Sequence, residues 1–163
     1  MRGNAPTSTL AAATGLALGL GVLAWGVLAW GVLAWAGAAD MADPDDAAQV
    51  ERGARIYAQH CAACHGAELE GQPNWRMQLS TGGLPAPPHD ETGHTWHHAD
   101  EMLFIYTKLG VKEGLGIEGF QSNMAAFRDT LSDADIWASL AYIMSRWPER
   151  VRQRQDHINE QSK

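Results

Sequence analysis

Cysteine is scarce: the 163-residue chain has two, Cys61 and Cys64. Thiols three positions apart cannot staple distant segments, so a disulfide-built mini-protein is excluded and the pair reads as chemistry, not architecture. Basic charge is also short, with 12 Lys and Arg against 19 Asp and Glu and a net charge of −7. The imbalance is local. Sixteen acids face six bases from Asp40 to Ser145, whereas five bases and three acids lie between Arg146 and Lys163. An acidic body lacks the basic face that nucleic acid requires, so no nucleic-acid partner is expected. It is compatible with basic protein partners, although a solvated surface is the default meaning of such charge. No useful length of chain alternates apolar with polar residues, which excludes a sheet and leaves an all-α body.

Charge is missing altogether from Thr7 to Ala39, where Gly-Val-Leu-Ala-Trp recurs three times, ending at Trp25, Trp30 and Trp35. A step of five turns a helix by about 140° net, so the tryptophans form no stripe and the repeat is apolar filler. Two roles are open for residues 1–39. A secretory signal would be cut at the small residues Ala36-Gly37-Ala38. A membrane span needs about 20 apolar residues, and Leu10–Ala39 exceeds that. Length favours a retained N-terminal hydrophobic helix. Either role exports everything after Asp40, since Arg2 stays on the cytoplasmic side.

The remainder divides into an acidic linker (40–46), a folded body (47–148) and a polar tail (149–163). Val50, Ala54, Tyr57 and Cys61 share one face of a helix that runs into the cysteine pair. Pro73, Pro85, Pro87 and Pro88, with Gly71, Gly82, Gly83 and Gly93, then predict a long irregular loop. In a small domain, such a loop wraps something or carries function. A second helix is expected from Ala99 to Leu109, with Met102, Leu103, Tyr106 and Leu109 on one side and Gly110 as its stop. A short helical piece is expected over Ala125–Thr130. The best-marked helix starts at Ser132, with Asp135 three residues on and Ile136, Leu140 and Ile143 behind it. Pro148 ends it, and the tail beyond reads as polar and helical.

Cys61-Ala62-Ala63-Cys64-His65 decides the chemistry. C-x-x-C-H is the attachment pattern of c-type haem: the thiols add across two vinyl groups and the adjacent imidazole comes under the iron. A thioredoxin-like pair would follow a strand, and no strand precedes Cys61. A structural zinc site would need two more ligands, which here could only be histidines far along the loop.

The body resembles a class I c-type cytochrome over residues 47–148. The matching pieces are Gly53-x-x-x-Tyr57-x-x-x-Cys61-Ala62-Ala63-Cys64-His65-Gly66, Leu84-Pro85-Ala86-Pro87-Pro88, Met124-Ala125-Ala126-Phe127, and Leu131-Ser132-Asp133-x-Asp135-Ile136-x-x-x-Leu140-Ala141-Tyr142-Ile143. The resemblance implies helices wrapped around one covalent haem, with the first and last crossing closely at Gly53 and Tyr57 meeting Tyr142. It also implies haem attachment on the exported, periplasmic side of a bacterial membrane.

His plus Met is the ligand pair expected of a cytochrome c. Met1 and Met41 lie outside the body, Met144 falls in the last helix, and Met102 suits core packing. Met77 is close in sequence to His65. Met124, eight residues before the last helix, stands where the family's ligand methionine does. The family usually has proline next; here Ala125 follows, which removes a stiffening element. The resemblance further implies a carbonyl from the Leu84–Pro88 loop on the ring N–H of His65.

His89, His94, His97 and His98 cluster around Trp96. They read either as a copper or zinc site or as residues that line the haem's propionate edge or cap the next helix. The second fits better, because no companion cysteine or His-x-x-x-His helix supports a metal. Trp75, Arg76 and Trp96 are candidate propionate partners. Arg150, Arg152 and Arg154 read as a solvated tail that could meet acidic lipid or a partner. The expected function is electron transfer between redox proteins of a membrane or periplasmic chain, not catalysis on a small-molecule substrate. The alternatives are a haem enzyme or a gas or redox sensor with a labile sixth ligand, and a cytochrome subunit of a larger oxidoreductase.

Overall fold

The computed structural model describes residues 41–163, so the apolar segment and its role as anchor or signal lie outside the described residues. Six α-helices follow in order: α1 (Ala47–His60), α2 (Ala62–His65), α3 (Asp100–Leu109), α4 (Val111–Leu115), α5 (Asp133–Ser145) and α6 (Glu149–Gln161). A single 3-10 turn, Thr95–His97, precedes α3. Among the described residues there is no strand, as expected, and no helix long and apolar enough to cross a membrane.

Two helix starts are chemically explicit. Asp46 accepts from the N–H groups of Ala48 and Gln49 at the head of α1. Ser132 and Asp135 form a reciprocal capping box on α5. Asp135 also pairs with Arg52 at 2.8 Å, tying α1 to α5.

These two helices make the central crossing. A Cβ on Gly53 would sit 1.8 Å from the carbonyl oxygen of Ala138, so any larger side chain would force the helices apart. Tyr57 meets Tyr142 beside it, ring centroids 5.4 Å apart. Ile136, Leu140 and Ile143 are buried behind the crossing, each worth roughly 1.5–3 kcal/mol when fully removed from water. Trp137 stacks on Phe104 at 4.4 Å and brings α3 to the same core.

Three local expectations change. Residues 125–130 form no helix: the N–H groups of Phe127 and Arg128 donate to Thr107 and Lys108 at the end of α3, and a single turn remains in which Phe127 accepts from Thr130 and Leu131. On α3 the buried face is Leu103 and Thr107, while Met102 is 41% exposed. The tail is more than a solvated helix, because Val151 and Gln155 of α6 are buried.

A candidate haem-attachment site

Cys61 closes α1 and opens α2: its N–H donates to Tyr57, and its carbonyl accepts from Cys64 at 3.1 Å and His65 at 2.9 Å. Residues i, i+3 and i+4 share a helical face, so both sulfurs and the imidazole belong to one turn. Both thiols are free, Cys61 half-buried and Cys64 exposed. Burial, and then the neighbouring Cys64, push the Cys61 thiol up to about 11, so it remains protonated at neutral pH.

His65 is 8% exposed. Its Nδ1 lies 2.8 Å from the carbonyl oxygen of Pro87. Burial lowers its pKa, against the opposing effect of that hydrogen bond, so the ring is neutral with Nδ1 protonated and Nε2 carrying the lone pair. Of the five residues Leu84 to Pro88, Pro87 is the one whose carbonyl accepts this hydrogen bond.

The loop reaches that position through bonds invisible in the sequence. Gly71 N–H donates to His65 at 2.7 Å, and Gln72 exchanges hydrogen bonds with Ala86. Leu69 is buried with φ of +70°, an uncommon conformation for a bulky residue. Its carbonyl accepts from His89 at 2.8 Å and so closes the loop back under the motif.

Met124 lies on a different segment, half-buried, with its N–H donating to Ser122 Oγ at 3.1 Å. Gly110 packs against its backbone, at 3.3 Å from a would-be Cβ to the Met124 carbonyl. Together with Ile117, Ala126 and Arg128, these residues line an open recess of about 660 Å³. Phe127 meets His60 edge-on at 6.2 Å, which brings the Met124 segment to the end of α1. The other methionines of the body differ: Met144 is 3% exposed in the core, and Met77 projects outward.

The histidine cluster separates into two groups. His89 stacks on His65, with His94 still close enough to lower its pKa. His94 and His98 meet edge-on at 5.4 Å, with Trp75 stacked on His94 and Arg76 over Trp75. Trp96 spends its N–H on the Glu91 carbonyl and stacks on His97, so that donor is not free for a propionate. Among the described residues no group of three or more His, Cys, Asp or Glu side chains could hold a metal ion. No side chain of this cluster caps α3; the N–H of Asp100 donates to Asn159 of α6 instead.

The donor set fits a haem: two free thiols and a neutral imidazole with one nitrogen unclaimed, all on one helical turn. The family model described as cytochrome c matches residues 50–147. This chain belongs to the cytochrome c family. Its function is haem-based electron transfer, with haem c held covalently. The cytochrome is 30% identical over 98 residues to an Azospirillum brasilense protein named cbb3-type cytochrome c oxidase subunit CcoP. The aligned stretch covers 60% of this chain and 28% of that protein. No solved structure gives a significant match.

Proposed function

We propose a mono-haem electron carrier in which Cys61 and Cys64 hold the group through thioethers and His65 and Met124 are its axial ligands. The observation that carries the reading is the His65 ring, pinned at Nδ1 by Pro87 beside two free thiols. When bound, haem supplies a one-electron iron couple. The Pro87 carbonyl fixes the tautomer of His65 and strengthens Nε2 as a donor. Met124 contributes a thioether, which raises the reduction potential. With protein ligands on both axial sides, no position remains for a substrate, which favours a carrier over an enzyme or sensor.

The test is spectroscopic. Matured protein should give a pyridine haemochrome spectrum equivalent to one haem per chain and, when oxidised, a near-infrared band from sulfur-to-iron charge transfer. Absence of that band, together with carbon monoxide binding to the reduced form, would transfer the reading to the labile-ligand alternative.

The relative's name supports a second reading, in which the chain is the cytochrome subunit of a membrane oxidase or another larger oxidoreductase. Stoichiometric co-purification of partner subunits tests it. Residues 1–39 are proposed as a single-pass anchor that holds the haem domain on the periplasmic side. An intact mass for a chain starting near Ala39 would sink the anchor and leave a soluble periplasmic carrier.

A further inference from the structure

His89 lies against His65 with ring centroids 4.0 Å apart and an interplanar angle of 21°. The hydrogen bond from His65 Nδ1 to Pro87 holds one atom of the axial ring. The ring is tethered through Cγ and restrained at Nδ1 by that single hydrogen bond, which leaves some freedom to pivot about the Cβ–Cγ bond. A near-parallel ring against its face removes the pivot.

His89 is itself held from several elements. Its Nδ1 shares a hydrogen bond with Thr95 Oγ1 at 2.8 Å, in the 3-10 turn. Its N–H donates to Leu69 at 2.8 Å, and its carbonyl accepts from Trp147 Nε1 at 2.7 Å. Tyr57 of α1 meets it edge-on at 6.2 Å. Burial, with His65 and His94 nearby, pushes its pKa well below the usual histidine range, so a neutral ring faces His65.

We propose that His89 is a positioning residue that sets the rotational angle of the axial imidazole plane, and through it the electronic asymmetry of the bound haem. The proposal rests on the reading of His65 as an iron ligand. An aliphatic side chain could fill the same volume but would present no plane. The Thr95 hydrogen bond matters for the same reason, since it fixes which way the His89 ring faces.

The experiment uses the full matured chain, with a pyridine haemochrome assay first and proton NMR of the oxidised form second. The spread and order of the four haem-methyl resonances report the axial imidazole plane. His89→Leu should shift that pattern, Thr95→Val should shift it less in the same sense, and His89→Phe should keep it near wild type. A wild-type pattern in His89→Leu overturns the proposal. So does a His89→Phe pattern displaced as far as that of His89→Leu, since a flat ring would then not be what matters. Should His89→Leu fail to mature, Thr95→Val decides: a displaced pattern supports the role and an unchanged one removes it. Wild-type protein without a haemochrome would instead overturn the haem reading itself.

Discussion

The His65 side and the Met124 side of this cytochrome are built differently. His65 sits in a web: Pro87 at Nδ1, Gly71 on its carbonyl, and His89 on its face. Tyr57 Oη donates to Gly66 just beyond, at 2.9 Å. The stretch leading to Met124 has little of this. Gly116 and Gly119 adopt positive φ, and a Cβ on either would meet nothing within 4 Å. Its bonds are local, Phe120 to Ile117 and Met124 to Ser122 Oγ, until Phe127 and Arg128 dock on the end of α3. Sparse anchoring of this kind lowers the cost of local opening. The two proposed axial positions therefore differ in anchoring as well as in chemistry, and the Met124 side is expected to yield first.

Removing each proposed ligand in turn tests this most severely. His65→Ala should abolish a stable low-spin product, because the group lost is the one the web was built around. Met124→Leu should leave haem attached by both thioethers but lower the midpoint potential and admit carbon monoxide to the reduced form. Potentiometry and carbon monoxide difference spectra check both. Equal damage from the two variants would erase the asymmetry.

The His65 web extends outward to α6. Trp147 reaches the His89 carbonyl, Arg154 lies over Trp96 at 5.1 Å, and Gln155 donates through Nε2 to the Asp100 carboxylate. Gln155 is 3% exposed. Gln155→Leu removes a donor from a buried carboxylate and should cost about 1–3 kcal/mol of stability, read from denaturant midpoints. The variant should also loosen the histidine segment while leaving Met124 ligation unchanged. A change confined to the Met124 charge-transfer band would invert the comparison.

Much of this architecture was legible in the sequence, for identifiable reasons. C-x-x-C-H and the Ser132–Asp135 cap are local signals, complete within five residues. Gly53 and Tyr57 were placed through resemblance, and the structure puts both at the α1–α5 crossing. What stayed hidden depends on register over distance. Only the fold of the loop decides that Pro87, and not a neighbouring residue, supplies the carbonyl. His89 looked like a member of the His94–His98 group because proximity in sequence suggested proximity in space. The fold instead seats its ring on His65, with His94 still nearby. Helix α6 buries Val151 and Gln155 four apart, one apolar and one polar, and such a pair leaves no hydrophobic periodicity to detect. The four- and five-residue helices α2 and α4 are too short for any period to register.

A smaller effect is expected on the Met124 side. Ala125 stands where the family usually has proline, and its N–H donates no hydrogen bond among the described residues. Ala125→Pro should then stiffen the ligand loop by about 0.4–1 kcal/mol, chiefly by restricting the opened state. By RT ln of the ratio, that is a roughly two- to fivefold slowing of ligand exchange, measurable as imidazole or carbon monoxide binding kinetics. If the rate is unchanged or faster, the glycine-rich stretch upstream, and not position 125, governs opening.

The smallest effect returns to the α6 brace and concerns pH. Burial raises the pKa of Asp100 above its ordinary 3.8, and the hydrogen bonds from Gln155 and the contact with Asn159 only partly oppose this. A carboxyl whose folded pKa is raised binds its proton more tightly in the native state than in the unfolded chain. Its contribution to stability is therefore full below the unfolded pKa and is lost as pH rises through the folded value. Asp100→Asn keeps an acceptor for Gln155 but cannot titrate, so the mutant should lack this descending component. The difference between wild-type and mutant unfolding free energies, followed upward from pH 3, should move in the mutant's favour across that window. A difference that stays flat would mean that Gln155 and Asn159 stabilise the ionised carboxylate fully, and the brace would then be as strong at neutral pH as in acid.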